Sequence, residues 1–272
     1  MVVKRVGILY HPLNEAARTL AGELEQFIGS SGVSAWSCSA WEEETVKSQL
    51  DNTEILLTIG GDGTILRAAQ AAVPGKALIV GVNLGRLGFM TELSVDEVKD
   101  RIPVLLNGEG WVDERVMLEA QCLGKTYYAL NDVVVARGTV ARTVHIEAVI
   151  NGEQMTTYRA DGVIVATATG STGYSLAAGG PILHPQAEDF VLVPIVPHLS
   201  PAFPVVLPSV SVVELRITTG LEAILSIDGH INIPLSGDAS ITVKLSDRKT
   251  RFLRFHPRAF YGTLEKRLKG KM

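Results

Sequence analysis

The first hundred residues alternate short apolar runs with stretches of helical period, and this alternation constrains the fold more than any other feature of the chain. "VGILY" (Val6–Tyr10), "VSAWS" (Val33–Ser37), "EILLTIG" (Glu54–Gly60) and "ALIVGVN" (Ala77–Asn83) are the strand-like runs. Between the first two, Leu13, Ala16, Ala17, Leu20, Leu24, Phe27 and Ile28 recur at helical spacing, and Gly29 and Gly32 close that helix. A polar helix spans Glu42 to Leu50. Another opens at the capping box of Ser94 and Glu97, and its course past Pro103 is left open by the proline. Apolar strands separated by helices predict a parallel sheet covered on both faces.

From Trp111 the pattern changes to period two. In "TVHIEAVINGEQMTTY", Val144, Ile146, Ala148 and Ile150 share one face and His145 and Glu147 the other. The run then turns at Asn151-Gly152, a strong hairpin signal. "SITVKLS" and "FLRF" predict two further short strands, so this half reads as antiparallel and β-rich. Seven of the twelve prolines lie from Pro181 to Pro208. Proline cannot donate to a ladder, which predicts loops and edge strands there rather than central sheet. We expect an α/β domain with a parallel sheet over residues 1–108, a β-rich domain over 109–246, and a segment 247–272 returning to the first domain.

A chain of 272 residues with 46% hydrophobic and 20% charged residues has material for a real core. Its net charge of −4 argues against nonspecific nucleic-acid binding. No apolar run reaches the ~20 residues of a spanning helix, and "MVVKRVGILYHP" turns polar too soon for a signal peptide, so a cytoplasmic location is expected. Cys38 and Cys122 stand far apart without metal-ligand spacing and read as reduced thiols. The cations of the tail "RKTRFLRFHPRAFYGTLEKRLKGKM" read as a solvated face. His184 and His198, beside prolines, read as structural, and His230 as a solvated turn residue.

The stretch "LLTIGGDGTILRAA" (Leu56–Ala69) carries the first chemistry. A helix starting at Thr64 presents free N–H groups and a positive dipole end, and Gly60, Gly61 and Gly63 let phosphate oxygens approach the backbone. It is neither a P-loop nor a dinucleotide fingerprint. Asp62 in such a turn would repel phosphate unless it serves another purpose. It could hold Mg²⁺ across phosphate oxygens, accept the proton of an attacking hydroxyl, or simply cap the helix at Thr64. "GVNLGRLGFMTEL" (Gly81–Leu93) follows the fourth strand, where open α/β sheets place ligands. "LNDVVVARG" sets Asn131 beside Asp132, a set suited to a ribose diol. "YRADGVIVATATGSTGYSLAAGGPILHP" (Tyr158–Pro185) combines Asp161 with a glycine-hydroxyl loop, and "SIDGH" adds Asp228 in a turn.

These five segments, in this order, resemble the NAD kinase family over nearly the whole chain, residues 4 to 261. The GGDG turn is shared with diacylglycerol, sphingosine and phosphofructo-kinases; the block from Tyr158 to Pro185 is specific. The resemblance implies a two-domain fold, α/β then β-rich, with the active site in the crevice between the domains. It also implies Mg²⁺-dependent transfer of the γ-phosphoryl group of ATP to the 2′-hydroxyl of the adenosine ribose of NAD. It makes Asp62 the general base, with Gly60, Gly61, Gly63 and Thr64 as the phosphate-donor loop and no protein ligands assigned to the metal, which the ATP phosphates hold. Phe89 packs on the adenine or is plain core. Asn131 and Asp132 hold NAD, and Asp161 meets the other end of the dinucleotide. Thr172, Gly173 and Tyr174 lie against the substrate, and Asp228 lies near the transferred phosphate or the nicotinamide. Arg159 is either a phosphate contact or an ion-pair partner of Asp161. Dimers or tetramers are implied. Ala168 and Gly173 replace the proline and alanine of the family's "ATPTGSTAYS", and Phe203 stands where a cation is common. A lipid or sugar kinase sharing the GGDG turn, or a non-catalytic NAD(H)-binding regulator, are the competing readings; the specific block disfavours the first and Asp62 the second.

Overall fold

The computed structural model describes residues 3–73, 75–85, 88–139, 143–198, 202–218, 222–257 and 260–269. It divides into two units, residues 1–114 with 250–272 and residues 115–249.

In the first unit the predicted alternation is present. β1 (Arg5–Tyr10), α1 (Glu15–Ser30), β2 (Ser34–Ser39), α2 (Glu43–Gln49), β3 (Ile55–Ile59), α3 (Asp62–Ala72), β4 (Leu78–Asn83), β5 (Leu93–Ser94) and α4 (Val95–Leu106) follow one another. The strands pair in parallel in the order β4-β3-β1-β2, with β5 also on β4. All five residues of β3 are buried, as a strand covered on both faces requires. The core joins Ile8, Leu24, Leu57 and Val80 to Val98 and Ile102 of α4. Asn14 caps α1, its Oδ1 accepting from the Ala17 N–H at 3.2 Å. The Ser94–Glu97 capping box forms, and α4 continues through Pro103 to Leu106.

The chain enters the second unit within β6 (Trp111–Cys122). β7 (Lys125–Ala129), β8 (Asp132–Arg137), β9 (Val144–Ile150), β10 (Glu153–Ala160), β11 (Gly162–Ala166), α5 (Tyr174–Ala177), β12 (Phe190–Ile195), β13 (Val205–Leu207), β14 (Val212–Ile217), β15 (Ala223–Ile227), β16 (Ile231–Leu235) and β17 (Ser240–Arg254) complete it; β17 carries the chain back to the first unit, where Phe252 pairs with Ile79 of β4 and α6 (Phe260–Lys269) follows. One antiparallel sheet runs β13-β12-β11-β8-β15-β16. A second antiparallel set joins β10, β9, β14 and β17, and β6 pairs with β7. The core between the sheets takes Val133, Val135, Val163 and Leu225 from one and Ile146, Ala148, Leu215 and Val243 from the other. Intervening residues Val134 and Ile164 are buried on the opposite face with Val191 and Val193. The hairpin at Asn151-Gly152 has positive φ at both residues (53° and 82°).

Two expectations change. β12 lies inside the six-stranded sheet and is wholly buried, although it contains Pro194. β13 pairs only with Phe190–Leu192, so at Pro194 the strand has a neighbour on one side alone and the missing N–H leaves no ladder bond unmade. "SITVKLS" and "FLRF" are not separate strands but parts of the single 15-residue β17. The polar run between them continues the strand because extended backbone needs a pairing partner more than an apolar side chain.

Candidate active site

The glycine turn follows β3. A Cβ on Gly60 would lie 2.3 Å from Thr64 Oγ1, so close packing of the turn on the helix requires glycine there, whereas Cβ positions at Gly61 and Gly63 meet nothing within 4 Å and leave the exposed side of the turn open. The helix begins at Asp62, two residues earlier than expected, with Gly61 as N-cap and no side-chain capping bond. Asp62 is therefore not the cap. Its Oδ2 accepts from the Phe89 N–H at 3.0 Å and its Oδ1 from the Met90 N–H at 3.1 Å. A carboxylate has about four lone-pair sites, so each oxygen retains acceptor capacity for a further proton donor. Gly88 is part of the same arrangement, because a Cβ there would sit 2.2 Å from Asp62 Oδ1. Phe89 itself is buried and supplies this contact through its backbone. Thr64 is buried, its N–H on the Gly61 carbonyl at 3.0 Å.

The second unit gathers most of the remaining candidates. A cavity of about 480 Å³ is lined by Asn131, Asp132, Arg137, Tyr174, Ser226 and Asp228, among others. Asp228 sits in the β15–β16 turn with φ 49°. Its carboxylate takes backbone N–H groups of Leu130 (2.9 Å), Asn131 (2.7 Å) and Asp132 (3.1 Å), which fixes the turn that presents Asn131 and Asp132. Asp132 is buried beside it. Loss of water, and then the Asp228 charge, push its carboxyl up from 3.8 to about 7. Asn131 Oδ1 is buried and meets no partner among the described residues. Gly170 packs so closely that a Cβ there would lie 2.1 Å from the Asn131 carbonyl oxygen. The Thr167 hydroxyl donates to the Leu130 carbonyl at 2.6 Å, tying the glycine-hydroxyl loop to the same turn.

Tyr174 is half exposed and also lines a neighbouring cavity of about 570 Å³ with Asp161, Ala177, Pro194 and Val196. Thr172 is buried, its hydroxyl on the Thr169 carbonyl at 3.2 Å; Gly173 N–H bonds the Gly170 carbonyl at 2.8 Å, and its Cβ position lies 3.7 Å from Asn131 Nδ2. Arg159 is not the ion-pair partner of Asp161. That partner is Arg137 Nε, at 3.1 Å, because the chain bends at Asp161 between β10 and β11 and its N–H joins the Ile195 carbonyl. Arg159 is exposed on β10. Ala168 is buried and Phe203 exposed, while His230 Nδ1 lies 3.1 Å from the Asp228 carbonyl.

Sequence reading missed a buried charge cluster in the first unit. Arg254, read as part of a solvated face, is buried with Glu92 and Asp113, each 3.3 Å away. The tail strand enters the parallel sheet at this point, and the two carboxylates come from the segments after β4 and at the start of β6. Arg137 was likewise missed; a cation at the end of the apolar run "VVVAR" was the available signal. Among the described residues no three His, Cys, Asp or Glu side chains group to hold a metal ion, and no helix is long and apolar enough to cross a membrane.

The chain also resembles known proteins over nearly its whole length. The family model for the ATP-NAD kinase N-terminal domain matches residues 14–110, and that for the ATP-NAD kinase C-terminal domain matches residues 130–255. An NAD kinase of Dehalococcoides mccartyi is 47% identical over 98% of this chain and 96% of its own length, and one from Chloroflexus aggregans is 38% identical over 98% and 99%. Among solved structures, yeast NADH kinase complexed with NADH shares the fold (TM-score 0.82, 24% identity, 99% of this chain and 88% of that one). An NAD kinase from Archaeoglobus fulgidus in complex with ATP superposes with a TM-score of 0.78 at 27% identity, over 98% and 99% of the two chains. With both domain models matched and near relatives aligned end to end, the chain belongs to the NAD kinase family.

Proposed function

We propose that the protein transfers the γ-phosphoryl group of ATP, supplied with Mg²⁺, to the 2′-hydroxyl of the adenosine ribose of NAD, producing NADP. The cavity at Asn131 and Asp132 carries this reading: a buried amide oxygen without a partner and a carboxyl short of water form an acceptor set that two vicinal hydroxyl donors complete. The second cavity, sharing Tyr174 and holding Asp161, suits the other end of a dinucleotide. The open side of the glycine turn offers backbone N–H groups to the ATP phosphates. The ATP phosphates would hold Mg²⁺, which would supply neutralisation of their charge during transfer. Asp62 accepts the proton of the attacking hydroxyl, the two amides on its oxygens fixing its orientation.

The test follows NADP formation by the full chain with ATP, Mg²⁺ and either NAD or 2′-deoxy-NAD. NAD is converted, and 2′-deoxy-NAD binds without being phosphorylated. Asp62→Asn lowers kcat by about 10²–10⁴-fold while NAD binding stays nearly intact, the range for loss of a positioned base. Near-normal kcat in D62N removes the base assignment; a phosphorylated 2′-deoxy product places the reaction at another hydroxyl.

A further inference from the structure

Asp62 is held by a short peptide, and that peptide is itself held from behind. Over residues 88–92 the Gly88 N–H bonds the Thr91 hydroxyl at 3.1 Å, the Phe89 and Met90 N–H groups bond Asp62, and the Glu92 N–H bonds the Gly81 carbonyl at 2.8 Å. The Met90 carbonyl takes Arg254 Nη1 at 2.7 Å. One peptide plane thus separates the guanidinium from the peptide group that donates to Asp62. Arg254 is in turn fixed by Glu92 and Asp113 and lies over the Phe252 ring, 4.6 Å from its centre. Glu92 Oε1 accepts the Phe255 N–H (2.7 Å) and the His256 N–H (2.9 Å), and lies 3.0 Å from His256 Nδ1.

A buried cation flanked by two buried carboxylates is a poor device for stability, since apolar residues of similar volume serve at least as well. It is a good device for geometry. Arginine's planar fork holds a carbonyl and two carboxylates at once, which the single ammonium of lysine cannot reproduce. We propose that Arg254 is a positioning residue for phosphoryl transfer: through the Met90 carbonyl it sets the amides that aim Asp62. The proposal rests on Asp62 being the base.

The experiment is a double-mutant cycle on the full chain, with kcat and KM for NAD and ATP measured for native protein, R254K, D62N and D62N/R254K. Displacing a catalytic group by about 1 Å from a remote position costs on the order of 10²-fold, so R254K lowers kcat by about 10- to 100-fold. Both KM values stay within about twofold, because the change acts on the aim of the Asp62 carboxylate and not on the NAD cavity or the backbone N–H groups of the glycine turn. In the D62N background the same substitution changes kcat by less than about twofold, since the base it would misalign is gone. Equal losses in both backgrounds, an unchanged kcat in R254K, or a change confined to KM overturns the proposal. Normal turnover by D62N overturns the base assignment instead, so the two failures are distinct. Should R254K not fold, Glu92→Gln carries the same cycle: it keeps an acceptor for the Phe255 and His256 amides while weakening the hold on Arg254.

Discussion

Replacing Asp132 with asparagine isolates the cost of keeping a carboxyl group where this one sits. The group is buried and its pKa stands at about 7 against 3.8 for the free side chain, through desolvation first and the Asp228 carboxylate second. Below pH 3.8 the carboxyl is protonated in folded and unfolded chains alike and costs nothing. From there to about pH 7 the unfolded chain ionises while the folded one keeps its proton, so folding loses about 1.4 kcal/mol per pH unit. Above about pH 7 the loss levels off at about 4 kcal/mol. An amide does not titrate. The stability of D132N relative to the native protein should therefore rise by roughly 2–3 kcal/mol between about pH 5 and pH 8. Urea unfolding of both proteins at several pH values, without nucleotide, measures the difference. Curves that stay parallel across the range would refute the argument, because the native carboxyl would then titrate as it does in the unfolded chain. A second readout is binding. Hydroxyl donors favour ionised Asp132, so NAD affinity of the native protein should fall by about tenfold per unit below about pH 7 and that of D132N should stay flat.

Two further substitutions probe the supports of the site. Gly88→Ala places a methyl 2.2 Å from Asp62 Oδ1 and should lower kcat by about tenfold or more with a stability loss of about 1–3 kcal/mol; unchanged steady-state kinetics would show that the carboxylate moves freely. Asp228→Asn keeps a residue that tolerates positive φ but turns an NH₂ toward at least one of three donating amides. It should cost about 1.5–3 kcal/mol, read as a lowered Tm, and an unchanged Tm would show that those amides find other partners.

The parallel half of the fold was legible because each signal there is local. Val6–Tyr10 and Ile55–Ile59 are too apolar to be anything but covered strands, and Ser94 with Glu97 marks a helix start within four residues. What escaped depends on neighbours that sequence does not show. Pro194 suits an interior strand only because β13 ends before reaching it. Residues 247–251 read as a break between strands, yet the backbone runs extended across them, with Thr250 buried and Arg251 half-buried. Arg254 looked solvated because its partners Glu92 and Asp113 are 162 and 141 residues away along the chain.

The acids of the site show the same limit in its chemical form. Sequence placed Asp62, Asp132, Asp161 and Asp228 in turns or at strand ends, where carboxylates do chemistry, but it cannot say which of their lone pairs are already engaged. Asp228 is taken by three backbone amides and Asp161 by Arg137, so both act first on the protein itself. Asp62 accepts one amide on each oxygen and keeps capacity on both. Asp132 receives no side-chain hydrogen bond among the described residues, and burial opposes its ionisation. A ligand hydroxyl gains most where acceptor capacity is unmet and solvent is already excluded. By that measure Asp132, with the unpartnered oxygen of Asn131 next to it in the chain, is where a hydroxyl donor would gain most, and Asp228 is the support that keeps both in place.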